Sequence, residues 1–481
     1  MSQKLVYIVS GFVGGIFLRS FLDFGWAVIG LFLVVGLAFL AQKNFRIALL
    51  CVGLVLGIAR YNMHDQTGEL LVSAGEQTLE VLIIDEADER EKFIRYNAEV
   101  RPRKDGGLTS ATTKIAIVAR TSPIFNYGDL VSVSGKVEEV RDEYLNKDEI
   151  YYEIAFPQIK LISHDQGSPI KAKLFAFKHA FLDRIGRVIP EPESSLAGGL
   201  VVGAKQSLGE DLLTRFRSVG LIHVIVLSGY NLTLIADFIK NTLGVILPIT
   251  SVTWLSAIAI ILFAILAGAG ATVVRATIMA LLVLVARSTG RVYDVTRALV
   301  IAGLIMLVHN PKVLVFDVGF QLSFLATLGL LYLEPIIATR LTRLPEKILI
   351  FKFRETIAAT LAAQAAVLPL ILYEFGNLSL YALPANILVL PVVPYTMLLV
   401  FLTGLVGFVF YPLSLLISFP AYALLAYQLF VTRIFSNLPL ANINIKSFPL
   451  IFVLLMYASL VFIVLKYRKK EQHLEVKPPS A

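Results

Sequence analysis

The chain is poor in the residues that most enzymes and secreted domains rely on. It has one cysteine, Cys51, so no disulfide can form within it. Its six histidines, His64, His164, His179, His223, His309 and His473, stand far apart and form no Cys/His metal cluster. No G-x-x-x-x-G-K-[ST] segment is present, which excludes a P-loop nucleotide site. Charge is also scarce. Asp, Glu, Lys and Arg make up 16% of the 481 residues, against about a quarter in a soluble protein. No internal repeat is visible, so an inverted-repeat transporter lacks direct support. No A-x-A-like cleavage site follows the first apolar stretch, which therefore reads as a retained span rather than a cleaved leader. These residues point to no metal, no cofactor and no catalytic group, and the chain is expected not to be an enzyme.

Apolar residues fill the space. They make up 57% of the chain, and the mean hydropathy is +0.75. Many runs approach the ~20 residues that cross a bilayer as helix. Three occupy 5–20, 24–41 and 45–60. Others lie near 221–247, 251–268, 270–287, 296–309, 316–334, 355–374, 384–407, 411–433 and 449–466. The expectation is a polytopic α-helical membrane protein of about 12 spans. Between the two sets the pattern changes. Stretches 78–84, 93–101, 114–120, 129–137 and 151–162 are rich in Val, Ile, Tyr and Phe with partial alternation, as strands are. Turn residues separate them at Asp105-Gly106-Gly107 and Tyr127-Gly128-Asp129. Five strands in so short a segment suit an OB-like β-barrel, with a bent sandwich as the alternative. An amphipathic stretch, 171–189, leads back to the apolar runs. The expected division is 1–62 for N-terminal membrane helices, 75–165 for the β domain, 171–467 for a second membrane domain and 468–481 for a tail.

Charge orients the chain. Lys4, Lys43 with Arg46, the Arg287/Arg291/Arg297 loop, the Arg340–Arg354 loop and the 466–470 tail should face the cytoplasm. Three spans from a cytoplasmic N-terminus place the β domain outside. Three more return the chain to the Arg287 loop, two reach the Arg340 loop and four reach the tail, so every parity agrees. Residues 75–165 hold 12 Lys/Arg and 18 Asp/Glu, a net −6, while the rest of the chain carries +14. An acidic outer domain repels phosphates on average. Contact with nucleic acid there would need a local patch, for which Arg95, Arg101, Arg103 and Lys104 are candidates; a structural or docking domain is the plainer reading.

The most informative stretch is 203–237. Ser207 and Glu210 form an S-x-x-E capping box. Leu208, Leu212, Leu213, Phe216 and Val219 then share one helical face, with Arg215 and Arg217 off it. Gly220 can end that helix. Ser228, Gly229, Tyr230 and Asn231 interrupt the apolar run that follows. Hydrocarbon tolerates loose backbone only where protein or a water-filled cavity covers it, so the break suggests a pathway.

Four blocks, in order, carry a resemblance. They are Phe216-Arg217-Ser218-Val219-Gly220-Leu221-Ile222-His223 with Leu227-Ser228-Gly229, then Val274-Arg275-Ala276-Thr277-Ile278-Met279, then Asn310-Pro311, and then Gly319-Phe320-Gln321-Leu322-Ser323-Phe324-Leu325-Ala326-Thr327. Leu368-Pro369, Phe375-Gly376 and Asn386 continue the pattern. The chain resembles the ComEC-type family of competence DNA-uptake channels. The resemblance implies a channel in the bacterial cytoplasmic membrane that passes single-stranded DNA inward during natural transformation. It further implies a separate DNA receptor and a cytoplasmic helicase or ATPase. Two departures stand out. The family's SG-L-H reads Ser228-Gly229-Tyr230-Asn231 here, and Asn231 cannot become cationic. No histidine pair forms H-x-H, so the metallo-β-lactamase-like nuclease domain of many members is not expected, and a separate nuclease is implied.

A DNA path needs spaced cations for phosphates and flat faces for bases. Arg215 and Arg217 are candidates for phosphate contact, or else interfacial anchors. Arg275 sits within an apolar run, where charge is costly and usually functional. It either lines the path or pairs with Asp237 or Asp317. Gln321, Gln364 and Asn386 either face the path or make interhelical hydrogen bonds. His223 borders the broken segment and can titrate. The alternatives from other classes are a secondary transporter or exporter of a small anionic or lipid-linked substrate, and an assembly subunit without a conduit. Membrane lipid is a partner in any of these; oligomeric state is open.

Overall fold

The structure is a computed structural model. It describes residues 3–65, 74–90, 92–101, 113–140, 143–204, 208–225, 232, 244, 246–341, 353–445 and 447–475. The chain forms two compact units. One comprises Met1–His179 and Leu232–Gln321, the other Ala180–Asn231 and Leu322–Ala481.

The first unit begins with three apolar helices, α1 (Gln3–Phe21), α2 (Trp26–Ala41) and α3 (Phe45–Asp65). Glycines spaced four apart bring α1 and α3 together. A Cβ on Gly11 would lie 2.1 Å from the Leu50 carbonyl oxygen, and one on Gly53 would lie 2.1 Å from that of Ile8. Gly15 and Gly57 make equally close approaches. This is small-residue packing, which replaces the hydrophobic drive that helices lose in lipid.

Seven strands follow: β1 (Gly75–Ile83), β2 (Asp88–Glu89), β3 (Ile94–Val100), β4 (Thr113–Ala119), β5 (Leu130–Glu139), β6 (Ile150–Ala155) and β7 (Gln158–Ser163). Strand β1 pairs with β3, β3 with β4, β4 with β6, β6 with β5, and β5 returns to β1. All these pairings are antiparallel except β4–β6, which is parallel. The circuit closes as a five-strand OB-like barrel, so the sandwich alternative does not form. Strict alternation fills it. Along β3, Ile94, Tyr96, Ala98 and Val100 point inward and are buried. The expected single strand at 151–162 is two strands. Pro157 has no N–H for a ladder, and Phe156 adopts φ +49, so the chain bends and β7 pairs with residues 130–134 of β5. Asp105–Gly107 lies outside the described residues, while Gly128 makes its turn at φ +86.

The amphipathic stretch forms α4 (Pro169–Gly186). The first unit continues with α8 (Ile249–Leu266), α9 (Ala271–Ser288), α10 (Val295–His309), α11 (Val313–Phe316) and the start of α12 (Val318–Tyr332). The second unit holds α5 (Glu193–Val202), α6 (Gly209–Ser218) and α7 (Ile222–Ile225). It also holds the rest of α12, then α13 (Glu334–Arg340), α14 (Phe353–Phe375), α15 (Ala382–Val389), α16 (Val393–Gly407), α17 (Tyr411–Ser436) and α18 (Leu450–Glu475). Short strands β8 (Asn377–Leu378) and β9 (Ile443–Asn444) pair antiparallel.

Among the described residues, six helices are long and apolar enough to cross a bilayer: α1, α3, α9, α14, α17 and α18. Two bent pairs, α12–α13 at 44° and α15–α16 at 49°, bring the number to eight if each is one span. Helices α2, α8 and α10 are apolar but shorter. Most of 221–247 lies outside the described residues. Large apolar side chains such as Trp254, Leu416, Phe419 and Phe462 are exposed, as a surface bathed in lipid allows. The protein is a multi-pass membrane protein with a β-barrel in its N-terminal part.

Candidate functional site

In the second unit the site is built on α5, a helix of small residues in which every residue from Ser194 to Val202 is buried. It packs on α16 and α17. Next comes α6, which buries Phe216 completely and leaves its charged residues outside. Arg215 Nε meets Asp211 Oδ2 at 3.0 Å, and Arg217 Nη1 meets Glu210 Oε2 at 3.5 Å. Both cations therefore face carboxylates on their own helix, and the four charges sum to zero. Pairs this exposed contribute only about 0.3–0.5 kcal/mol, which an incoming phosphate can displace. The expected capping serine, Ser207, lies outside the described residues, and Leu208 takes the N-cap position with no side-chain bond.

The end of α6 is a Schellman turn. Gly220 N–H donates to the Arg217 carbonyl at 3.1 Å, and Leu221 N–H donates to that of Phe216 at 2.8 Å. Gly220 adopts φ +69, and a Cβ there would come within 2.6 Å of Ala382 Cβ. The Ser379 hydroxyl donates to the Ser218 carbonyl at 2.7 Å. The turn is thus seated on the start of α15. His223 follows on α7, between half-buried Ile222 and buried Val224. Ser228, Gly229, Tyr230 and Asn231 lie outside the described residues.

Proline breaks the next span. Pro391 and Pro394 cannot donate to the helical ladder, and α15 and α16 meet at 49°. Polar groups are buried around this break. Asn386 on α15 is 2% exposed, and its Oδ1 has no hydrogen-bond partner. Thr396 on α16 and Gln428 on α17 are fully buried. Gln428 Nε2 donates to Thr396 Oγ1 at 2.6 Å, leaving Gln428 Oε1 without a partner. Further along, the Ser414 hydroxyl donates to the Thr403 carbonyl at 2.8 Å. Gln364 is half-buried on α14, a helix that carries Pro369 inside it.

The remaining candidates belong to the first unit. Arg275 is half-buried on α9, with Nη1 3.3 Å from Met279 Sδ. Asp317 binds Lys147 at 3.2 Å, and Asp237 lies outside the described residues. Gln321 Nε2 donates to the carbonyls of Leu314 and Val315 at 3.0 and 2.8 Å, so this amide closes the exposed end of α11. In the barrel, Arg95 is mostly buried and faces Glu153 at 3.8 Å, while Arg101 donates to the Gln166 carbonyl at 3.4 Å. Arg103 and Lys104 lie outside the described residues. Glu149 accepts from Lys114 at 3.1 Å and stands 3.0 Å from His64 Nε2. The His64 contact first, and Lys114 after it, hold the Glu149 carboxyl down at about 2 against the opposing effect of burial. Burial works against ionised Glu86 too, but His179 and Lys178 outweigh it and keep that carboxyl below the ordinary range. No group of His, Cys, Asp and Glu fit to hold a metal ion occurs among the described residues.

Sequence reasoning missed several of these groups. Gln428 stands in an apolar run in the same way as Gln364 and carried the same signal. Ser379 and Ala382 had none, because only the folded turn brings them to Ser218 and Gly220. Lys312, 5% exposed and bound to Asp65 at 2.8 Å, was hidden at the edge of a span where lysine is ordinary.

Comparison with known proteins gives the same picture. Residues 200–470, which run from the end of α5 into α18, match the family described as Competence protein. The chain is 25% identical over 254 residues to ComE operon protein 3 of Bacillus subtilis (strain 168). That alignment covers 52% of this chain and 31% of the relative, so the chain spans about a third of that protein's length. No solved structure matches. With more than half of its length inside the family match, the chain belongs to the competence protein family.

Proposed function

We propose that this protein is a cytoplasmic-membrane channel that passes single-stranded DNA into the cell during natural transformation. The observation that carries the reading is the family match over 200–470, the region that contains both bent helix pairs and the buried polar groups Asn386 and Gln428. Broken helices and polar side chains in an apolar segment are features of protein-lined paths through membranes. The strand is guided by Arg215 and Arg217, the Ser228–Asn231 break and Arg275. His223, Gln364 and Asn386 are further candidates to line it. In this reading both termini are cytoplasmic and the barrel is outside. The chain performs no chemistry of its own. Moving DNA inward opposes an inside-negative potential by about 2.3 kcal/mol per charge per 100 mV. The work therefore comes from a partner helicase or ATPase or from the proton gradient, and a separate receptor and nuclease prepare the strand.

The test follows end-labelled duplex DNA in a deletion strain and its complemented parent. The channel predicts surface-bound label without protected cytoplasmic single strands in the deletion. Unchanged cytoplasmic label in the deletion overturns the proposal and makes transport of a small anionic substrate the leading reading.

A further inference from the structure

In the first unit, the segment from Val308 to Gln321 is wired on both sides. Toward α3, Arg60 donates to the carbonyls of Val308 and His309 at 2.6 and 2.7 Å, satisfying acceptors that the end of α10 leaves open. Lys312 Nζ donates to Asp65 Oδ1 at 2.8 Å. Toward the barrel, the same ammonium donates to the Tyr151 hydroxyl on β6 and stands 5.0 Å from that ring. Asn310 Nδ2 donates to the Lys147 carbonyl at 2.6 Å, while its Oδ1 accepts from Lys312 N–H at 2.9 Å. Lys147 Nζ in turn donates to Asp317 Oδ2 at 3.2 Å, and Asp317 Oδ1 caps α12 by accepting from Phe320 N–H at 2.9 Å. Lys147 sits in the short 3-10 helix Glu143–Asp148, just before β6.

We infer that this segment is a bracket that fixes the barrel to the membrane helices of its unit, with Asn310, Lys312 and Asp317 as positioning residues. The buried charges of this segment are satisfied from other elements. Lys312 is 5% exposed and Asp317 is 6% exposed. Such charges are stable only when paired, and each finds a partner on another element. A barrel joined to the helices by chain connections alone is free to swing. One that supplies a carbonyl, an ammonium and a hydroxyl to the same short segment is held in register. Gln321 belongs to the same device, since its amide ties α12 back to α11. The polar residues of this block therefore act by holding the barrel, not by touching the transported strand. The inference stands whether or not the channel reading does.

The experiment uses the full chain in lipid nanodiscs and hydrogen–deuterium exchange of Asp317→Asn, Lys147→Met and the double variant. Loss of a charged hydrogen bond predicts about tenfold or greater acceleration of exchange over 147–155 in each single variant. The double variant should be no faster than either single one, because both remove the same contact. Strands β1 and β5 should keep their protection. A spin-label pair at Ile124→Cys and Val292→Cys in a Cys51→Ser background adds a positional readout. Its distance distribution should be narrow in the parent and broaden in both single variants. Unchanged exchange at 147–155 with an unchanged distribution overturns the bracket, as does strict additivity in the double variant. If Asp317→Asn fails to accumulate, Lys147→Met, which alters a partly exposed side chain, carries the same test.

Discussion

Gly220→Ala tests how tightly the α6–α7 turn is seated. Two costs add. A non-glycine residue at φ +69 pays about 1–2 kcal/mol for the left-handed conformation. The new Cβ would stand 2.6 Å from Ala382 Cβ, roughly 1 Å inside the ordinary 3.5–4.0 Å carbon contact. Overpacking of that kind costs about 1–3 kcal/mol. The expected destabilisation is about 2–5 kcal/mol. Ala382→Gly separates the two costs, because it removes the atom that is struck and leaves the backbone strain. Unfolding titrations of the parent, both single variants and the double in bilayer-mimetic micelles give the cycle. The expected coupling is favourable and about 1–3 kcal/mol, equal to the steric part. A Gly220→Ala protein as stable as the parent, or additive single effects, would refute the seating described for this turn.

Three other perturbations bear on separate parts of the protein. Because the Glu149 carboxyl is held at about 2 in the folded chain, its contribution is complete above the ordinary glutamate range near 4.5 and is lost as pH falls from there through about 2. That contribution is on the order of 1 kcal/mol after allowing for solvent screening. Glu149→Gln should flatten the pH dependence of unfolding in this window, and a parallel curve would contradict the assignment. Gln428→Leu removes an amide oxygen buried without a partner while Thr396 keeps its bond to the Val392 carbonyl. Stability should be unchanged or rise by about 1 kcal/mol, so a loss of uptake without loss of stability would mark Gln428 as part of the path. Arg275→Ala should lower uptake about tenfold, the worth of a lost charged hydrogen bond, at an unchanged level of protein in the membrane. Disappearance of the protein instead would show that Arg275 is there for packing.

Much of the fold was written in local patterns. Apolar runs located the helices because each must satisfy its own backbone and cover lipid-facing surface, and both demands act on neighbouring residues. The barrel strands showed through alternation, as in Ile94, Tyr96, Ala98 and Val100. The break at Pro157 was legible too, but the flanking β-rich residues masked it. Gly11, Gly15, Gly53 and Gly57 carried the spacing of close helix packing and passed unnoticed among the 32 glycines of the chain. The candidate site was harder to read. Arg215 and Arg217 stood out as cations, yet the sequence did not say that Asp211 and Glu210 would reach back to them. The sequence offers Asp317 as a partner for Arg275, whereas the fold gives it Lys147, a residue 170 positions away. Long-range polar pairing has no periodicity, so only the folded chain reveals it.

Passage of the strand along this site is tested by placing a photo-crosslinking residue at Arg217, at His223 and, as a lipid-facing control, at Leu416, which is 66% exposed. Each protein then takes up end-labelled DNA and is irradiated during transfer. A channel at this site predicts single-stranded label on the chains modified at 217 and 223 and none on the chain modified at 416. Label absent from all three, or equal on all three, during efficient uptake would contradict passage of the strand along this site.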